Sequence, residues 1–169
     1  MKRLMVSATA AVFVVAFSAG PAAAMTKERT ELPLNDHVAL SGFCPFTIIA
    51  TDEGRVFQDV FLDAEGNLVM IRIYSPGLKS TFEANGKSVT VPNSGPVMIT
   101  IDENGVFTAE QRGQSVSFDQ GLITGDPYVL HISGRITTHA VANAQTGFVD
   151  FIDSTRIGVV TDICALLAP

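Results

Sequence analysis

Val97-Met98-Ile99-Thr100-Ile101-Asp102-Glu103-Asn104-Gly105-Val106-Phe107-Thr108-Ala109-Glu110-Gln111-Arg112 is the stretch on which the fold turns. Val97, Ile99 and Ile101 alternate with other residues, so on an extended chain they share one face. Glu103-Asn104-Gly105 then supplies residues that tolerate the positive φ of a tight reversal. A second β-rich run, residues 106–112, follows at once. Strand, turn, strand is the reading, and a turn this short forces antiparallel pairing, because parallel pairing needs a long crossover.

The same punctuation recurs outward in both directions. Asp52-Glu53-Gly54, Glu65-Gly66-Asn67, Asn85-Gly86 and Gln145-Thr146-Gly147 each sit between apolar runs. Strands are expected at 46–51, 55–62, 68–75, 79–84, 88–91, 97–101, 106–112, 115–118, 128–133, 135–142, 148–152 and 157–161. No helical period persists for three turns after residue 25; one short turn is expected at 165–168. So many short strands cannot lie as one open sheet without long bare edges. The expectation is an all-β domain, an antiparallel meander closed into a barrel, with a two-sheet β-sandwich as the alternative. The D-x-x-G hairpins at Asp52, Asp63 and Asp102 share turn chemistry but are irregularly spaced, so they are not a repeat architecture. The longest break is the loop 119–127.

The two ends carry their own signals. Lys2 and Arg3, the uncharged run 4–19, Gly20-Pro21 and Ala22-Ala23-Ala24 make a secretory signal peptide over residues 1–24, cut after Ala24. No later run is long and apolar enough to span a bilayer as a helix. Residues 25–40 are polar and without period, and read as a flexible lead-in; residues 41–169 form one domain. The expected location is secreted and extracellular, or associated with the cell envelope. In that oxidising setting Cys44 and Cys164 are expected to form a disulfide closing a loop of about 120 residues. Removing Lys2 and Arg3 takes the formal charge from −6 to −8. Such an acidic chain argues against nucleic acid and against docking on anionic lipid, both of which need a basic patch.

Motifs for chemistry are sparse. No cofactor-binding signature and no set of metal ligands is present. Asp102-Glu103-Asn104-Gly105 echoes the start of a calcium loop, but the hairpin reading is preferred because nothing closes the coordination shell. His131 and His139 fall on adjacent expected strands beside Arg135. If Ser133-Gly134 turned the chain, His131, Arg135, His139 and Asp150 would form an ionisable cluster suited to proton transfer. Period two from Ile136 sets Arg135 and His139 on the opposite face, towards solvent. The phenylalanines at 43, 46, 57, 61, 82, 107, 118, 148 and 151 read as core packing.

Phe43-Cys44-Pro45-Phe46, Pro76-Gly77-Leu78-Lys79, Asn85-Gly86-Lys87-Ser88-Val89-Thr90-Val91, Ser94-Gly95-Pro96 and Asp162-Ile163-Cys164-Ala165-Leu166-Leu167 resemble a group of short exported actinobacterial proteins with no assigned activity. The resemblance spans most of the mature chain and rests chiefly on the F-C-P-F and D-x-C-A-x-L ends. It implies secretion, a β-rich domain and an end-to-end disulfide, and carries over no catalytic residue. The functional expectation is a non-catalytic binding domain for a small apolar ligand or a surface partner. The alternatives are a small-barrel cyclase or isomerase, and a structural exoprotein without ligand.

Overall fold

A computed structural model describes residues 26–102, 104–121, 125–143 and 148–169. The expected signal segment, the expected turn at 145–147 and the centre of the 119–127 loop fall outside the described residues. Eleven strands and one short helix follow in order: β1 (Thr26–Leu32), β2 (Val38–Leu40), β3 (Ile48–Glu53), β4 (Val56–Leu62), β5 (Leu68–Tyr74), β6 (Lys79–Ala84), β7 (Lys87–Pro92), β8 (Val97–Ile101), β9 (Val106–Gln120), β10 (Pro127–Asn143), β11 (Phe148–Asp162) and α1 (Ile163–Leu167). They form two antiparallel sheets, one ordered β1-β4-β5-β8-β9-β10-β11 and one ordered β2-β3-β6-β7.

The barrel expectation is corrected. β1 and β11 are the two edges of the larger sheet and do not pair, so the arrangement is the two-sheet alternative. The disulfide Cys44–Cys164 is present, with Cα atoms 5.5 Å apart, inside bridging range. It ties the loop before β3 to α1, not one edge of the larger sheet to the other. Closure by the crosslink therefore seals one end of the sandwich and leaves the sheet open.

The hairpin reading holds at several turns and fails at one. Asn85 and Gly86 both have positive φ, 53° and 73°, the geometry a two-residue hairpin loop requires. Asp63 and Asp102 each turn the chain alike. Asp63 Oδ1 accepts from Glu65 N and Asn67 N, and Asp102 Oδ1 accepts from Asn104 N and Val106 N. The Asp102 carboxylate is thus occupied by its own turn. Asp52-Glu53-Gly54, by contrast, is a corner. β3 and β4 are not paired, and the chain passes there from the smaller sheet to the larger. It returns after β5 and crosses again between β7 and β8. Asn93 pins the last crossing: its Nδ2 donates to Ser80 Oγ on β6 and its Oδ1 accepts from Val116 N on β9.

Six expected strands merge into three long ones, β9, β10 and β11. Gly113 on β9 stands opposite Gly134 on β10, which stands opposite Gly158 on β11. At this glycine row the three strands bend together. Arg156 is the cross-strand neighbour of Ile136, yet its guanidinium lies 4.3 Å from the ring centroid of Tyr128. Eight residues of straight strand would separate them by about 27 Å, so the sheet must fold over. Glycine permits it because the backbones nearly touch: a Cβ on Gly134 would lie 2.0 Å from the Ile157 carbonyl oxygen.

The bend gives the long strands two arms. One arm packs on the smaller sheet and builds the core, where Val116, Val129, Ile163 and Leu167 meet Phe43, Ile48, Ala50, Phe82 and Val91. Phe118 joins through edge-on contacts with Phe43 and Phe82, at centroid distances of 5.7 and 6.1 Å. Asp162 caps α1 by accepting from Ala165 N. Asn85 Nδ2 and Lys87 Nζ donate to the Leu167 and Ala168 carbonyls, fastening the C-terminus to the β6–β7 hairpin. The other arm continues into β8, β5, β4 and β1. Residues 25–40, expected as a lead-in, hold β1 and β2; β1 pairs with β4 along its whole length.

Candidate binding face

The cross-strand register of the second arm sets residues in rows. Arg29, Asp59, Arg72, Met98, Glu110 and Thr137 form one row across β1, β4, β5, β8, β9 and β10. Two residues along each strand, and so on the same face, come Glu31, Phe57 and Tyr74, then Arg112 and Arg135. Five strand spacings of about 4.8 Å make the face about 24 Å wide.

Asp59 is its anchor. The side chain is 0% exposed, although the face around it is open. Its carboxylate accepts from Arg29 Nε at 2.8 Å and Arg72 Nη2 at 2.9 Å, and Lys27 Nζ stands 3.0 Å away. Hydrogen bonding from Arg29, with further donors on Lys27 and Arg72, holds its pKa well below the usual carboxylate range. The three cations themselves remain 40 to 52% exposed. One buried negative charge therefore holds three cations that still present donors to solvent, since a guanidinium has five N–H groups.

Aromatic rings set the cations in place. Phe57 and Tyr74 stack at 5.3 Å, with 24° between planes. Arg29 and Arg72 both lie over Tyr74, at 5.3 and 5.4 Å, and Arg55 lies over Phe57 at 4.7 Å. Arg55 also grips Glu31 through two bonds of 2.8 and 2.7 Å, which lowers the Glu31 pKa. Arg112 bonds Glu110 and lowers its pKa likewise. A hollow of about 150 Å³ opens in the middle of the face, lined by Arg72, Pro96, Val97, Met98, Glu110 and Arg112.

The charge distribution is lopsided. Lys27, Arg29, Arg55, Arg72, Arg112 and Arg135 are six of the nine Lys and Arg that follow Ala24. Among the described residues, Glu31, Asp59 and Glu110 are the carboxylates that form ion pairs with them. The patch is positive on an acidic protein.

The residues singled out for proton transfer are placed differently. Ser133-Gly134 does not reverse the chain, so His131, Arg135 and His139 lie on the single strand β10, four residues from one to the next, with the bend at Gly134 between the first two. His131 faces Val116 and Thr161 across the sheet, and its Nε2 is buried without a hydrogen-bond partner among the described residues. His139 Nδ1 pairs with Asp153 Oδ1 at 2.7 Å. Asp150 stands exposed opposite Val141 on β11. The four are not gathered into one cluster. Arg135 stands beside Arg112 on the face described above, and His139, two residues beyond Thr137, lies on the same side in the row of Lys27 and Phe61.

Among the described residues no group of three or more His, Cys, Asp or Glu is placed to hold a metal ion. Phe57 and Phe61, read from sequence as core, stand on the cation face; Lys27 lies 5.8 Å over Phe61. The legible signal was the alternation Lys27, Arg29, Glu31 on one strand and Phe57, Asp59, Phe61 on another. Comparison with protein-family models, with curated proteins and with solved structures returns no match.

Proposed function

We propose that this chain is an exported, non-catalytic binding module that docks an acidic polysaccharide at a surface outside the cell. The observation that carries the reading is the buried Asp59 clamping Lys27, Arg29 and Arg72 beside the stacked Phe57 and Tyr74. Guanidinium groups present paired donors that match carboxylate geometry. The Phe57 and Tyr74 rings, stacked on each other and overlain by Arg29, Arg55 and Arg72, hold those guanidinium groups in position for a ligand. Arg29 and Arg72 lie two strands apart, about 10 Å, a spacing suited to a polymer with one carboxylate per sugar or per disaccharide.

Other partners fit less well. The face is wide and shallow, which suits an extended chain rather than an enclosed small apolar ligand. The interleaved carboxylates and the acidic remainder of the surface would repel a densely charged nucleic acid.

Affinity electrophoresis through gels containing polygalacturonate tests the reading. The mature protein should be retarded, the retardation should fade as salt is raised, and a gel containing neutral dextran should leave it unaffected. Arg112→Gln with Arg135→Gln, both exposed and clear of Asp59, should abolish most of the effect while leaving the melting temperature nearly unchanged. Equal mobility in both gels, or retention by the double variant, refutes the assignment.

A further inference from the structure

Three of the four sheet edges are protected in recognised ways. β2 is only three residues long, β1 carries Lys27, Glu28, Arg29 and Glu31, and β7 opens with Lys87 and closes with Pro92. β11 is guarded over its first half by Asp150, Asp153 and Arg156 and by a bulge at Ile152, but from Ile157 to Thr161 it carries neither charge nor proline. It is fifteen residues long, lies at the outer edge of the larger sheet, and carries Phe151, Ile152, Ile157, Val159 and Val160 at 47, 56, 56, 71 and 47% exposure. Val159 and Val160 are neighbours and so point to opposite faces. An uncharged apolar stretch along an unpaired edge is an open template for another strand.

We infer that β11 pairs antiparallel with β11 of a second copy, joining two seven-stranded sheets into one. An antiparallel edge is self-complementary under a two-fold axis, so one chain supplies both halves of the interface. A two-fold centred on Ile157 sets Arg156 opposite Gly158, Val159 opposite Thr155 and Asp153 opposite Thr161. No like charges then face each other, whereas a centre one residue earlier would set Asp150 against Asp162. Centred on Ile157, residues 152–162 of the two copies overlap along about 36 Å of edge. With its exposed side chains, this is on the order of the 800 Å² per partner that a stable dimer buries. Directly paired residues share a face, so the two cation faces lie on the same side of the joined sheet, an arrangement suited to bivalent attachment.

Light scattering after size exclusion should give the mature wild type twice its monomer mass. Ile157→Lys with Val159→Lys should halve that mass without lowering the melting temperature, since both side chains are exposed. Ile157→Cys should crosslink to its own copy under mild oxidation, because paired Cα atoms stand about 4.5 to 5.5 Å apart. Hydrogen exchange on the wild type should show β11 amides protected at high concentration and released on dilution. A wild type of monomer mass throughout the micromolar range overturns the inference. So does a doubled mass that survives the double lysine substitution, or concentration-dependent protection on β1 instead of β11.

Discussion

The glycine row offers a sharp test of why the long strands bend. Replacing Gly134 with alanine adds a Cβ 2.0 Å from the Ile157 carbonyl oxygen and 2.8 Å from Gly158 Cα. Both obstacles are backbone, so no side chain can swing aside. The first contact is about 1 Å short of a tolerable separation, and β10 and β11 must part by that much. A ladder bond of about 2.9 Å stretched by 1 Å leaves hydrogen-bond range. Losing two such bonds at about 1 kcal/mol each, with about 1 to 3 kcal/mol of overpacking, gives a destabilisation of about 3 to 5 kcal/mol. For a domain of this size that is a fall in melting temperature of about 10 to 15 °C. Gly113 supplies the contrast. Its φ is +85°, but a Cβ there would meet nothing nearer than Gly95 Cα at 3.8 Å. Gly113→Ala should therefore cost only the left-handed backbone penalty, about 1 to 2 kcal/mol. Thermal unfolding by near-UV circular dichroism measures both. A Gly134→Ala protein that melts within about 3 °C of wild type, or one more stable than Gly113→Ala, would refute the close-approach argument.

Three further outcomes follow from the packing and the charges. Replacing Cys44 and Cys164 together by serine opens a loop of sequence separation 120, which the chain-entropy relation places at about 5 kcal/mol; urea unfolding should show a loss near this size, and a loss below about 1 kcal/mol would mean the ends are held by other contacts. Phe82→Ala removes a side chain that is 0% exposed at the centre of the core, and should cost about 3 to 5 kcal/mol in the same assay. Asp59→Asn leaves Lys27, Arg29 and Arg72 without their shared carboxylate, so the variant should melt lower at neutral pH and recover in part at high salt. Because the folded Asp59 pKa is depressed, its contribution is complete above the unfolded value, about 3.9, and is lost as pH falls below it. The gap between wild type and Asp59→Asn should hold steady from pH 8 to 5 and narrow below about pH 4; a gap that widens in acid contradicts the assignment.

Much of the fold was legible because its signals are local. Period-two alternation marks Val97, Ile99 and Ile101 as one face of a strand, and positive-φ residues mark the Asn85-Gly86 turn. Other local signals misled. Gly113 and Gly134 read as strand breaks, and Ser133-Gly134 as a turn, because a glycine that lets two backbones touch has the same sequence signature as one that reverses the chain. Asp52-Glu53-Gly54 looks like its hairpin neighbours, and only the partner choice of β3, which takes β6 instead of β4, makes it a corner. The cation face was out of reach for a related reason. Composition counts nine cations after residue 24 but not where they go. Lys27, Arg29, Arg55 and Arg72 come from separate segments and meet at Asp59, Glu31 and Tyr74 only through cross-strand register.

From the amino-acid order alone came the all-β class, the antiparallel hairpins and the pairing of Cys44 with Cys164, each fixed by backbone preferences within a few residues or by there being only two sulfurs. Tertiary structure alone decided that the sheet stays open, that six short runs join as three bent strands, and that an acidic chain collects its cations on one face. Those outcomes depend on which strand lies beside which, a choice made by the burial of both sheets together and written in no single segment.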